Sequence, residues 1–227
     1  MDWRTPARSA VKEVLHRTSW RRFVFPRYDY MMSPAQLCFL CAGVEESLNT
    51  TGCLLEVGCA NGATTIFLNR FLDDAPRPED RDRTYWCLDT FSGFLPEHVD
   101  HEVNHRGVHG GIREAFTANR RDWFDRTMAS NGVTRVRSLE GDAATFAYAS
   151  LAPIAFCLLD VDLYLPTSRA LPHIFDALAP GGVLIVDDCD PQNANWNGAS
   201  QAYQEFVRER KLPSIVEKGK LGVIRKA

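Results

Sequence analysis

The sequence predicts a three-layer α/β sandwich: a mostly parallel sheet covered by helices on both faces and finished by a C-terminal antiparallel hairpin. Three observations predict it. From Cys53 onward, short apolar runs alternate with amphipathic stretches of roughly 10–20 residues, the length a parallel crossover needs. The last two runs, SIVEK and LGVIR, are separated only by Gly219-Lys220, a link that suits a hairpin and is too short for a crossover. Finally, 45% hydrophobic and 24% charged residues describe an ordinary globular chain and exclude disordered, collagen-like and fibrous classes. A length of 227 residues suits one α/β domain with a small appendage. The expected division is an N-terminal helical arm and lid over 1–50 and a main domain over 51–227.

The elements follow in order. Ser33 before Pro34 supplies an N-cap and a first-turn proline, predicting a helix from Pro34 to about Leu48. Strands are expected at 53–57, 84–88, 135–139, 154–159 and 182–186, and helices near 62–73, 112–131, 167–178 and 198–210. The segment DAPRPEDRDR at 74–83 suits a solvated charged loop. Residues 1–30 hold seven of the 26 basic and three of the 29 acidic residues, so +4 against −7 for the remainder. Arg4, Arg8 and Lys12, four apart, would line one helix face, either a solvated or dimerising arm or a patch for an anionic partner.

Seven cysteines, an odd number scattered through apolar runs, suit free thiols in a reducing compartment. Cys38 and Cys41 form a C-x-x-C inside an apolar helical run, away from the turn a redox or zinc site would use. The N-terminus lacks an apolar signal core, and no run reaches the ~18 residues of a membrane span. A cytoplasmic enzyme is expected.

Ligands of open parallel sheets bind beyond the carboxyl ends of the strands. There this chain places Gly58-Cys-Ala-Asn-Gly62, then Asp89, Asp142, Asp160-Val-Asp162 and Asp187-Asp188. The glycine loop lets backbone approach a ligand before a helix N-terminus. Glu56, so close to that loop, would repel a pyrophosphate but could help hold an ammonium. Asp89 suits the two hydroxyls of a ribose, and Asp142 the amino group of an adenine. Together the three acids favour S-adenosylmethionine over a dinucleotide.

LLEVGCANGATT, LDTFSGF and LEGDA resemble the class I S-adenosylmethionine-dependent methyltransferases, which implies a Rossmann-like fold. LLDVDLYLPTSRAL followed by APGGVLIVDDC narrows the resemblance to the macrocin O-methyltransferase (TylF-like) family over about residues 26–227. That implies transfer of a methyl group to a sugar hydroxyl of a natural product such as an antibiotic, with Mg²⁺ as divalent cation. The resemblance further makes Asp160, Asp187 and Asp188 the metal ligands and Asp162 the general base. It makes Met31, Glu56, Gly58, Asp89 and Asp142 the cofactor contacts. Converging carboxylates need a cation among them, and all-oxygen ligands select a hard one.

His98, His101, His105 and His109 recur at spacings of 3, 4 and 4. With Val103, Gly107, Gly110 and Gly111 among them, a solvated loop or substrate lid is expected rather than a second metal site. A catechol-type O-methyltransferase is the first alternative. A non-catalytic adenosyl-binding module with a basic arm is the second. A glycoside or sugar acceptor is expected, without nucleic acid or membrane as partner; a homo-oligomer stays open.

Overall fold

The computed structural model describes residues 4–20, 28, 30–193 and 196–227. The chain forms two compact units, Met1–Met31 and Met32–Ala227. In the first, helix α1 spans Arg4–His16, and Val11 and Val14 on it are exposed.

The second unit opens with α2, Pro34–Ser47, whose start is the one the sequence predicts. Ser33 Oγ accepts from the Gln36 amide and Gln36 Oε1 accepts from the Ser33 amide, a closed capping box with Pro34 in the first turn. Strands β1 (Cys53–Val57), β2 (Tyr85–Asp89), β3 (Val136–Glu140), β4 (Ile154–Leu159), β5 (Leu178–Val186), β6 (Val216–Glu217) and β7 (Leu221–Arg225) form one sheet in the order β3-β2-β1-β4-β5-β7-β6. β1 to β5 pair in parallel, and β7 joins antiparallel to both β5 and β6. All six residues of the central β4 are buried, as expected of a parallel strand covered on both faces. The longer helices that remain are α3 (Ala63–Asp73), α4 (Pro96–Arg106), α5 (Arg121–Ser130), α6 (Tyr164–Ala177) and α7 (Asn197–Glu209), with a single helical turn at Pro78–Arg81. Among the described residues no helix is long and apolar enough to cross a membrane.

Four expectations are corrected. First, β5 begins at Leu178 rather than at 182, hidden behind the turn-like Pro180-Gly181-Gly182. Gly182 allows this stretch to stay in the sheet, since a Cβ there would lie 2.8 Å from the Ala179 carbonyl and 3.1 Å from that of Ile154. Second, 74–83 is no mere solvated loop. Asp80 is 1% exposed and paired with Arg77 and Arg83, and both arginines donate to the Leu48 carbonyl at the end of α2, where a helix has free acceptors. Third, the histidine stretch is helical: α4 starts at Pro96 and stops at Gly107, which takes the left-handed conformation of a C-cap. Fourth, the helix expected at 112–131 divides into a 3₁₀ turn at Gly110–Glu114 and α5.

The order of strands places a switch point between β1 and β4. The chain runs outward from β1 to β3, then returns to the other side of β1. At such a point the connecting loops leave in opposite directions and open a crevice at the carboxyl ends.

Candidate functional site

At that crevice Gly58 leaves β1 with φ +87°, its amide donating to Leu88 O at 2.8 Å. A Cβ there would lie 1.6 Å from the Asp160 carbonyl oxygen, so only glycine lets the two strand exits meet. The loop is drawn towards β2 by Asp89. Its Oδ2 accepts from the Ala60 amide at 2.8 Å and its Oδ1 from the Phe91 amide at 2.7 Å. Two acceptor sites on the carboxylate remain for a ligand. Burial raises the Asp89 pKa, and the two amides pull it partly back.

Glu56 lies within β1, 1% exposed, accepting from the Tyr85 hydroxyl at 2.8 Å. Burial lifts its pKa to about 7, against hydrogen bonds from Tyr85 and Thr65 and with a push from Asp89. Asp142 follows β3, where it caps the Ala144 amide at 2.9 Å and the Thr145 hydroxyl at 3.2 Å.

Sequence reasoning missed the neighbour of Asp142. His98 of α4 turns inward to 4% exposure, and its Nε2 has no hydrogen-bond partner. That atom lies 3.9 Å from Asp142 Oδ1 and 3.8 Å from Glu97 Oε1, beyond hydrogen-bonding distance. Burial lowers the His98 pKa although Asp142 and Glu97 oppose it, which favours the neutral ring. The other histidines do not join it: His101 stacks on Tyr164 and tilts against His105. α4 is fastened by buried Glu102, which accepts from Arg106 and from the Tyr164 amide at the start of α6.

The second half of the rim gathers Asp160, Asp162, Asp187 and Asp188. A strand-like path through 160–162 would point the first two to one side; instead β4 ends at Leu159 and Asp162 takes φ +59°. Asp188 has φ +54°. Left-handed backbone at a non-glycine residue costs energy that the surroundings must hold in place, and such residues cluster at functional sites. Ala60 and Phe91, at the ends of β1 and β2, share the feature. Burial and then the neighbouring aspartates raise the pKa values of Asp160 and Asp162 far above the carboxylate range. Asp162 also shares a hydrogen bond with Asp188. Burial raises Asp187 too, moderated by Lys220, whose Nζ lies 2.7 Å from Asp187 Oδ2 and 3.2 Å from Asp188 Oδ1.

Among the described residues it is Glu97, His98 and Asp142, rather than the three aspartates expected to hold a metal, that bring one ligand atom each to within 4.8 Å of one another. The donor set of the aspartate group nonetheless fits a hard divalent ion. Four carboxylates face one ammonium, a surplus of negative charge that a cation of charge two would largely offset.

An apolar wall stands beside these acids. Val99, Val108, Ile112 and Leu163 pack together under Phe94 and Trp196. Phe94 meets Phe116 edge-on with centroids 5.4 Å apart, and Phe116 is 41% exposed. Met31, 84% exposed, ends the first compact unit.

Comparison with known proteins matches residues 26–221 to the Macrocin-O-methyltransferase (TylF) family. The chain is 33% identical over 147 residues, 60% of its length and 52% of the relative's, to an 8-demethyl-8-(2,3-dimethoxy-alpha-L-rhamnosyl)-tetracenomycin-C 4'-O-methyltransferase of Streptomyces olivaceus. It is 31% identical over 149 residues, 62% and 56% of the two lengths, to a mycinamicin III 3''-O-methyltransferase of Micromonospora griseorubida. The chain thus spans about half the length of the curated relatives it matches. Among solved structures, the O-methyltransferase NovP superposes with a TM-score of 0.69 at 22% identity, over 88% of this chain and 83% of the other. That likeness shows the Rossmann-like methyltransferase fold. With a family model covering most of its length and a glycine loop and carboxylate rim at the switch point of that fold, the chain belongs to the macrocin O-methyltransferase family.

Proposed function

We propose that the protein transfers the methyl group of S-adenosylmethionine to a hydroxyl of a sugar carried by a natural product, with Mg²⁺ bound at the aspartate group. The supporting observation is the pairing, on one rim, of a backbone-anchored Asp89 with four under-neutralised aspartates. The acceptor class is supported by the relative whose name specifies a rhamnosyl-bearing tetracenomycin.

In this reading Asp89 receives the ribose hydroxyls on its remaining lone pairs, Gly58 lets the cofactor lie on the loop, and Asp142 accepts from the adenine amino group. His98 Nε2 offers that amino group a second acceptor, with the ring proton on Nδ1. Glu56 supports the methionyl end from beneath the loop through its hydrogen-bonded carboxyl. When bound, S-adenosylmethionine supplies an activated methyl and Mg²⁺ supplies charge that favours an ionised hydroxyl. Asp160, Asp187 and Asp188 hold the ion. Asp162 would take the acceptor's proton once a bound ion offsets the neighbouring negative charge that otherwise keeps its own proton on. Phe94 and Phe116 present an apolar face against which a sugar ring can lie. With cofactor and acceptor both bound beyond the carboxyl ends of the strands, acceptor and methyl could be held in line.

Mass-spectrometric screening of methyl transfer to sugar-bearing and catechol acceptors, with and without Mg²⁺, tests this. Mg²⁺-dependent addition of one methyl to a glycoside is expected. Transfer to catechols alone, or at full rate in EDTA, would contradict it.

A further inference from the structure

The rim contains a cation that belongs to the chain. Lys220 is the last turn residue before β7, following Lys218 and Gly219, which take φ +50° and +84°, the double left-handed pattern of a tight hairpin. Its main chain is fixed on both sides: the amide donates to Glu217 O at 3.2 Å and the carbonyl accepts from the Cys189 amide at 2.7 Å. Gly222 permits this close approach, since a Cβ there would lie 2.7 Å from Cys189 Sγ and 2.9 Å from the Tyr203 ring. The side chain, 20% exposed, therefore arrives at Asp187 and Asp188 from a rigid base.

We infer that Lys220 is a tethered competitor for the metal position: its ammonium bridges Asp187 and Asp188 in the metal-free protein and must give way before both carboxylates can close on a divalent ion. This rests on the proposed metal reading and adds to it a positioning residue that sets how readily the ion binds. An ion chelated by the two aspartates needs their facing oxygens at about 2.0–2.1 Å. Two of those oxygens, Asp187 Oδ2 and Asp188 Oδ1, are the ones Lys220 occupies. A lysine with only a structural role would behave oppositely when removed: the acids would lose their support and hold a metal less well.

Mg²⁺ calorimetry on the full chain bound to S-adenosylhomocysteine separates these. Lys220→Met keeps most of the stem and removes the charge. Its Mg²⁺ affinity should rise about tenfold, the order expected when one competing unit charge leaves a partly buried site. Lys220→Arg, which keeps the charge, should stay near wild type, and affinity for S-adenosylhomocysteine should hold in both. Lys220→Gln serves if the methionine variant fails to fold, with the same tightening expected. Equal or weaker Mg²⁺ binding in the uncharged variant, with wild type binding Mg²⁺ and cofactor affinity intact, overturns the role of Lys220 alone. Absence of Mg²⁺ binding in every variant and in wild type removes the metal reading, and the inference with it.

Discussion

The two halves of the rim are built on opposite principles. At the ends of β2 and β3, Asp89 and Asp142 are held by backbone amides before any ligand arrives. At the ends of β4 and β5, four aspartates repel one another, two of them, Asp162 and Asp188, on left-handed backbone, and Lys220 bridges only Asp187 and Asp188. A carboxylate already oriented by amides is in position to bind. A cluster of unsatisfied ones is completed only by a cation or by protons. The contrast teaches that the first half should act as a preformed cradle and the second as a site assembled by its ion.

Breaking the second half should have the largest effect. Asp162→Asn keeps the shape but cannot accept a proton, so kcat should fall by roughly 10²–10⁴-fold and excess Mg²⁺ should not restore it. Asp160→Asn should weaken Mg²⁺ binding, and excess metal should recover part of the rate. Recovery of Asp162→Asn by metal would sink the base assignment and reopen the catechol-type reading. Breaking the first half comes next. Asp89→Ala should lose affinity for S-adenosylhomocysteine by about thirtyfold, or roughly 2 kcal/mol of charge-assisted hydrogen bonding. His98→Ala, removing one neutral acceptor, should cost about fivefold.

Stability sharpens the comparison further. Asp160 and Asp162 have folded pKa values above their unfolded ones, so the native protein binds protons that the unfolded chain releases. Stability of the metal-free protein should fall as pH rises through and beyond the ordinary carboxylate range. Mg²⁺ competes with those protons, so its stabilisation should grow with pH, to about 5 °C or more at a hundredfold excess over Kd. Glu56 follows the same sign without a metal. With a folded pKa of about 7 against an ordinary 4.5, it costs stability progressively between those pH values, on the order of 3 kcal/mol. In Glu56→Gln thermal unfolding should lack that component, while the Mg²⁺-dependent component stays.

The fold was legible because parallel strands announce themselves as short apolar runs, and β1 and β4 begin and end where those runs do. The strand-end acids were legible for the same reason. Missing were the features that depend on distant segments meeting. Lys220 lies 32 residues from Asp188, and nothing in its hairpin marks it as a partner of the rim. His98 sits in a stretch whose glycines suggest a loop, yet the helix ends at Gly107 and packs through Glu102 against the start of α6. Arg77, Asp80 and Arg83 look like solvated charges, and the burial of Asp80 and the bonds of both arginines to the Leu48 carbonyl appear only once the end of α2 lies beside them. The left-handed turn at Asp162 is equally silent, because nothing local demands it.

The independence of the two halves is the central claim, and calorimetry with S-adenosylhomocysteine tests it most directly. Titrated into the full chain with saturating Mg²⁺ and again in excess EDTA, the ligand should bind with affinities within about twofold, since the cradle at Asp89 and Asp142 is complete without the ion. Loss of binding in EDTA would contradict the account, because it would make the ion part of the cradle and the rim one site instead of two.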